Sequence, residues 1–168
     1  AGSAEAFGTT TAITIDGGTL DLNGFDLQAQ SLSGNGGALV LDTATLTLND
    51  ATGNTSYAGS ISGDGGLTKL GLSTQTLSGA NTYTGATTIG GGTLALNFAG
   101  TGAPANDIIS SLSTLHLAGG SLSVLGSTAV DNSQSFAGVN LTSGTNNVSV
   151  TSAGHNVTLN LGAITRNS

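Results

Sequence analysis

The sequence contains no cysteine, and its two basic residues, Lys69 and Arg166, stand far apart against nine acidic residues. Without cysteine the chain can form neither a disulfide nor a thiolate metal site. The net charge of −7 and the absence of a basic patch exclude nucleic acid as a favourable partner. The same charge disfavours binding to anionic membrane surfaces.

Long apolar runs are also missing from the sequence. No stretch of about 18 apolar residues occurs, so we expect no direct membrane insertion. The first ten residues, AGSAEAFGTT, have neither the basic head nor the apolar stretch of a signal peptide. If the protein is exported, its targeting signal lies outside residues 1–168, and we expect these residues to be a mature product or an excised fragment.

Small polar residues dominate what is present. Gly, Ser, Thr and Asn make up more than half of the chain, with 28 Gly among them. Such compositions often give disorder, because too little apolar surface is buried to offset the ordering entropy. Here 37% of the residues are hydrophobic and they recur periodically. Thr favours strands, and Gly and Asn favour turns, so the mixture predicts many short strands joined by tight turns.

A Gly-Gly pair followed by a short apolar alternation recurs along the chain. Residues 19–22, for example, read TLDL, and their two Leu side chains point to one face of a strand while Thr and Asp point to the other. Helix patterns are missing, and we interpret 106–113, beyond Pro104, as a loop excursion or a single turn. The repeat starts lie near residues 17, 36, 65, 91, 119 and 144.

This pattern predicts an all-β fold, a parallel β-helix (β-solenoid) of about five to six rungs. The inward Leu, Ile and Val side chains of successive rungs would stack into one continuous core. The Gly pairs would occupy corners, and Asn side chains near the corners would stack into amide ladders. A β-sandwich is the alternative, because it also uses alternating strands and turns.

The acidic residues do not form a recognisable catalytic pattern. A polysaccharide-acting enzyme, the remote alternative, needs paired carboxylates or clustered cations around a groove. Most aspartates stand beside Gly, Asn or Thr, so we interpret them as Asx turns and solubilising charge. We predict no enzyme activity and no catalytic, cofactor-binding or metal-binding residues. The acidic residues considered are Glu5, Asp16, Asp21, Asp26, Asp42, Asp50, Asp64, Asp107 and Asp131.

The two histidines and the glycine-rich turns give no metal pattern. His116 alternates with inward-pointing Leu residues, so its ring should face solvent, and His155 lies in a Gly-His-Asn turn. With no acidic partner nearby, neither a zinc site nor a Ser-His-Asp triad is favoured. The tandem nonapeptides of calcium-binding solenoids are absent as well.

Residues 65–96 read GGLTKLGLSTQTLSGANTYTGATTIGGGTLAL. The order K…LSGxNTYTG…T…GGTL resembles the autotransporter-associated β-strand repeat, also called the passenger-associated transport repeat, of bacterial autotransporter passenger domains. The residues that carry the resemblance are Gly66, Leu67, Lys69, Leu77, Ser78, Gly79, Asn81, Tyr83, Gly85, Thr87 or Thr88, Ile89, Gly92, Thr93 and Leu94. We expect Tyr83 to pack at a corner.

One segment departs from the family pattern. Leu70 and Leu72 lie on the opposite parity from Leu67, so we expect the strand register to shift after Lys69 through a bend or bulge. The direction of the Lys69 side chain is left open by that shift.

The resemblance implies a right-handed parallel β-helix exported by type V secretion through a C-terminal translocator barrel, and displayed at the cell surface or secreted. It implies a structural and secretion module that supports folding, export and display of the passenger. The implied partners are the protein's own translocator barrel and the neighbouring rungs of the parent chain. The alternative is an adhesion or self-association module that contacts another copy, a host surface or a glycan.

Overall fold

The computed structural model describes residues 11–50 and 53–167. The described residues form strands of three to five residues and no helix. The chain visits three faces in turn and then returns to the first, one level further on. We call each such circuit a rung.

The first face is built from strands that lie side by side in successive rungs. Its strands are β1 (Ala12–Thr14), β4 (Ser31–Ser33), β7 (Thr55–Tyr57), β10 (Thr74–Leu77), β12 (Thr93–Asn97), β14 (Ser121–Leu125) and β17 (Asn147–Thr151). An isolated bridge between Gly34 and Tyr57 connects the β1–β4 pair to the rest.

The second face is interrupted and the third is continuous. The strands of the second face are β2 (Thr19–Asp21), β5 (Ala38–Val40), β8 (Ser60–Ser62), β15 (Asn132–Ser135) and β18 (Val157–Asn160). Those of the third are β3 (Leu27–Ala29), β6 (Thr45–Leu48), β9 (Gly66–Lys69), β11 (Thr87–Ile89), β13 (Thr114–Leu117), β16 (Gly138–Leu141) and β19 (Ala163–Arg166).

Every pairing between these strands is parallel. The predicted parallel β-solenoid is confirmed, and the alternative β-sandwich, whose sheets are antiparallel, is wrong. The described residues form seven rungs rather than five to six.

The glycine pairs explain why the rung count came out low. Gly17 and Gly36 precede strands of the second face, Gly65 precedes a strand of the third, and Gly91 and Gly119 precede strands of the first. The pairs therefore mark three different corners, and counting them does not count rungs.

Aliphatic side chains stack in columns through the centre of the coil. On the third face, each member of one inward column pairs in register with the next. That column is Leu27, Leu46, Leu67, Thr87, Leu115, Val139 and Ile164. Its members from Leu46 to Leu115 are completely buried, so the core is continuous from rung to rung.

Residues 106–113 form a loop excursion without a helix, as predicted. The excursion nevertheless contributes Ile108 and Ile109, both completely buried, to the second face of the fifth rung. Among the residues that the structure describes, no helix is long and apolar enough to cross a membrane.

Candidate functional site

The fourth rung carries the centre of the family motif. We call residues 74–92 the motif rung; it contains β10 and β11 but has no strand on the second face. Asn81 fills that gap: its Oδ1 accepts a hydrogen bond of 3.0 Å from the Ile61 N–H of the rung before. Its Nδ2 donates to Ile108 O of the rung after, at 2.9 Å. The Asn81 backbone also forms an isolated parallel bridge with Ile109, so the side chain adds to the backbone bonds that join the three rungs.

Tyr83 begins a chain of buried hydroxyl groups in the same rung. Tyr83 Oη lies 2.8 Å from Thr87 Oγ1, which lies 2.9 Å from Ser113 Oγ. Ser113 donates to Gly85 O at 2.7 Å, so its one proton is used there. Thr87 must therefore donate to Ser113, and Tyr83 to Thr87. Tyr83 lies at the corner between the second face and β11, as predicted, and it is completely buried, which raises its pKa above the ordinary range.

The motif glycines are places where two backbones meet. A Cβ atom on Gly85 would lie 2.3 Å from Gly65 O of the preceding rung. Gly92 has φ +58°, and a Cβ there would lie 2.4 Å from Gly71 O. No side chain fits at either position without displacing backbone, which is the physical reason for glycine in the motif.

Lys69 points into the coil. It pairs in register with Leu48 before it and Ile89 after it. The strand ends at Lys69 and the chain bends at residues 71–73 before β10, so the predicted bend is present and no strand continues through it in a shifted register. The Lys69 amine donates to Gly71 O. Burial lowers the pKa of Lys69, and the charge of Asp50 partly offsets this effect.

Two buried glutamines, which sequence reasoning did not single out, act in the same way as Asn81. Gln75 Nε2 donates to Leu32 O at 2.9 Å, two rungs away. Gln134 Nε2 donates to Ile109 O at 2.8 Å, and its Oε1 accepts from Ile109 N–H at 3.2 Å. The available signal was a polar residue two positions before an apolar one on the same strand face, Gln75 before Leu77 and Gln134 before Phe136.

Most aspartates connect successive rungs instead of forming local Asx turns. Asp21 shows the local pattern, accepting from Asn23 N–H at 2.7 Å. Asp26 accepts from the Thr45 N–H of the next rung at 2.7 Å. The same inter-rung bonding joins Asp16 to Asn35, Asp64 to Thr84, Asp107 to Ser135 and Asp131 to Asn156. The Asx-turn interpretation was therefore wrong for these five.

The asparagines near the corners do not form the predicted amide ladders. Asn54 Oδ1 accepts from Thr74 N–H at 2.9 Å, and Asn146 Oδ1 accepts from Gly119 N–H at 2.7 Å. Each thus bonds backbone of an adjacent rung, as the aspartates do.

The two histidines lie in different rungs. His116 is at an outward position, as predicted, with its Nε2 3.2 Å from Asn140 Nδ2. His155 Nδ1 lies 3.4 Å from Asp131 Oδ1, so the expectation of no acidic neighbour was wrong. Both of these side chains are well exposed. The pKa of Asp131 is lowered, chiefly by the Asn156 backbone N–H and also by His155.

Charge is segregated around the coil. Seven of the eight described aspartates lie on the second face, in the turns that border it, or in the loop beside it, and we call this the acidic side. They are Asp16, Asp21, Asp26, Asp42, Asp64, Asp107 and Asp131. The eighth, Asp50, is buried near Lys69.

A shallow cleft of about 320 Å³ opens where the second face turns into the third. Asp64 is the one carboxylate among the described residues that line it, and the others include Thr45, Thr68 and Thr88. No group of three or more potential metal ligands occurs in the described parts of the chain.

The last rung, β17–β19, is exposed although its sequence alternates like the others. Val148, Val150 and Ile164 occupy inward columns, yet they are 37%, 43% and 59% exposed. Each lacks a following rung within the described residues to cover it. Their exposure follows from the lack of that covering rung and not from their own sequence.

The fold and the motif define a stacked β-solenoid with a repeat built into its core. Residues 67–96 match the family described as passenger-associated-transport-repeat. The chain is 50% identical over 167 residues, 98% of its length, to the adhesin BmaC autotransporter of Brucella suis biovar 1 (strain 1330). The chain carries a passenger-associated transport repeat, and its resemblance to autotransporter passenger domains is confirmed.

The matched region is a small part of that relative. It makes up 5% of the length of the Brucella suis protein. No solved structure matches the chain.

Proposed function

We propose that the chain is a non-catalytic structural segment of an autotransporter passenger, which supports folding, export and surface display of the protein that carries it. One observation carries the proposal: the motif residues point into the coil. Asn81, Tyr83 and Thr87 are all at most 2% exposed. Asn81 and Thr87 form hydrogen bonds to neighbouring rungs, and Tyr83 bonds to Thr87, so these three side chains support the stacking of the rungs.

Stacking of this kind suits a chain that folds after export. Each rung offers its neighbour unpaired backbone groups, an aliphatic column and side-chain acceptors at the corners. A rung that has folded outside the membrane holds the emerged chain there, because unfolding it would break all three contacts. The partners in this proposal are the parent protein's translocator and its neighbouring rungs.

Adhesion is the second candidate function. It is favoured by the name of the Brucella suis relative, which is called an adhesin, and by the long outward faces that the motif leaves free. If the chain is an adhesion module, its outward residues contact another copy, a host surface or a glycan, while the interior side chains still hold the coil together.

Surface display of the parent protein separates the two candidates. We expect Asn81→Leu to lower display several-fold, whereas the outward Thr88→Ala leaves display unchanged. Normal display of the Asn81→Leu protein, with its destabilisation verified on the purified chain, would refute the structural proposal. Binding to host cells, normalised to the amount displayed, tests adhesion independently.

A further inference from the structure

The shallow cleft where the second face turns into the third spans the second, third and fourth rungs, away from both ends of the coil. Its lining includes four residues whose side chains amount to one methyl group: Gly65, Gly66, Gly85 and Ala86. Gly66 pairs in register with Thr45, so it holds an outward position of the third face that a threonine fills one rung earlier. The cleft is therefore a dent in the outer surface of the third face.

Backbone packing fixes the shape of the cleft. A Cβ on Gly66 would lie 2.6 Å from Ala86 O, and a Cβ on Gly65 would lie 1.8 Å from Ala44 O. No larger residue fits at either position without displacing backbone. The Gly85 N–H donates to Gly65 O at 3.0 Å and so joins the two rungs at the cleft. A ligand would thus meet a preformed surface and would not have to order a loop on binding.

The polar side chains around this bare floor have hydrogen-bonding capacity that the chain does not use. Thr45, Thr68 and Thr88 line the cleft, and their hydroxyl groups bond to no other protein group among the described residues. Asp64 Oδ1 accepts from Thr84 Oγ1 at 3.1 Å, whereas Asp64 Oδ2 has no partner within the same residues. A hydroxyl group donates and accepts, and a carboxylate oxygen only accepts. The cleft therefore offers both donors and acceptors to a ligand.

We propose that the cleft binds one hexose unit of an uncharged glycan. A hexose carries several hydroxyl groups, each of which donates and accepts, so it complements this lining. Its hydroxyl groups can donate charge-assisted hydrogen bonds to Asp64 Oδ2. The cleft volume of about 320 Å³ lies at the small end of ligand sites, about 300–1,000 Å³, which suits a single sugar unit. This inference rests on the second candidate function, adhesion, and names its ligand class and its site.

Charge and lining select against other ligand classes. Asp64 stands in the cleft, the acidic side adjoins it, and the net charge is −7, so carboxylated, sulfated or phosphorylated ligands are repelled. The described residues of the lining include no aromatic or large aliphatic side chain, which disfavours an apolar ligand. Hydrogen bonds alone hold the sugar, so a single site binds weakly. Display of many copies converts weak binding into firm attachment to a glycan surface.

A glycan array probed with the purified chain tests the ligand class. The array carries neutral hexose oligosaccharides beside matched oligosaccharides in which uronic acid or hexosamine units replace the hexose. We expect binding to the neutral series, at least about tenfold above binding to the uronic acid series. Three outcomes would overturn the proposal: no binding to the neutral series, equal binding to the uronic acid series, or binding to the hexosamine series alone.

Matched variants tie the binding to the cleft. Thr68→Val removes one hydroxyl from the lining, and Asp64→Asn removes the charge, so each should weaken binding to neutral oligosaccharides about tenfold. Asp64→Asn should also reduce the preference for neutral over uronic acid oligosaccharides. Thr47→Val is the control and should bind normally, because Thr47 pairs in register with Thr68 but lies outside the cleft. Unchanged binding in Thr68→Val and Asp64→Asn, or an equal loss in Thr47→Val, would refute the site.

The same variants separate this inference from the two candidate functions. Thermal unfolding of the purified variants verifies that each one folds. Display of the parent protein carrying Thr68→Val should stay normal, because the substitution leaves the interior intact. Host-cell binding, normalised to display, that persists in Thr68→Val and Asp64→Asn would leave adhesion standing and refute the sugar site alone.

Discussion

The motif rung and the last rung have similar alternating sequences but opposite surroundings. Ile89 in the motif rung is completely buried, whereas Ile164 in the last rung is 59% exposed. Both occupy inward positions of the third face. The motif rung has neighbours on both sides, and the last rung has one on one side only within the described residues. Burial in this fold is therefore set by stacking, and the alternation of a strand only decides which side chains become available for it.

The largest expected effect on stability comes from comparing the same Ile→Ala substitution in the motif rung and, separately, in the last rung. Ile89→Ala should destabilise the chain by about 2–5 kcal/mol, because it leaves a cavity in a buried column. Ile164→Ala should change the free energy of unfolding by less than about 0.5 kcal/mol. Urea unfolding followed by circular dichroism measures both values. Similar losses of unfolding free energy at the two positions would contradict the claim that stacking on both sides distinguishes the motif rung from the last rung.

Asn81→Leu tests whether the interior amide holds the motif rung to its neighbours. It leaves the Ile61 N–H buried without its acceptor, so we expect a loss of about 2–3 kcal/mol. Asn140→Leu, at an outward position, is the control and should cost less than about 0.5 kcal/mol. The same unfolding experiment applies. A stabilising Asn81→Leu would show that the amide is not needed there.

Gly85→Ala tests the close approach of two rungs. Its new Cβ would contact Gly65 O, and overpacking of this kind costs about 1–3 kcal/mol. Gly17→Ala is the matched control, because nothing lies within 4 Å of a Cβ placed there. Thermal unfolding of the two variants should separate them clearly. An unchanged midpoint for Gly85→Ala would mean that the rungs are less tightly packed than described.

The smallest expected effect is a pH dependence from the buried titratable groups. The Lys69 pKa is lowered on folding, so between that value and 10.5 the unfolded chain binds more protons and stability rises with pH. Burial raises the pKa of Tyr57 to about 12 from 10.0, so its contribution is complete below pH 10 and is lost as pH rises through 12. Lys69→Met should abolish the rise in stability with pH and keep the fall in stability above pH 10. If stability still rises with pH in the Lys69→Met variant, the rise comes from another titratable group.

The sequence predicted the parallel coil because inward aliphatic alternation and glycine turns are local signals. Residues 17–22, which read GGTLDL, show both. It could not give the rung count, since a glycine is required wherever two backbones approach closely, and Gly65 and Gly91 meet that need at different corners. The change of parity at Leu70 and Leu72 indicated the bend after Lys69, but it left the direction of the Lys69 side chain open, and the pairing of Lys69 with Leu48 and Ile89 fixes that direction.

The interior polar network was the least predictable part of the candidate site. The N–H groups that donate to Asp26 and Asp131 lie 19 and 25 residues further along the chain, so local sequence carries no sign of them. The burial of Asn81 likewise depends on Ile61 and Ile108 in two other rungs. The family motif indicates that these residues matter, and the three-dimensional stacking explains why.

Amide hydrogen exchange across the chain tests the central claim most directly, because protection reports the local free energy of opening. We predict the slowest exchange in β10, β11 and β12, and faster exchange in β17, β18 and β19. Uniform protection along the coil, or stronger protection in the last rung than in the motif rung, would contradict the claim that stacking on both sides stabilises each rung.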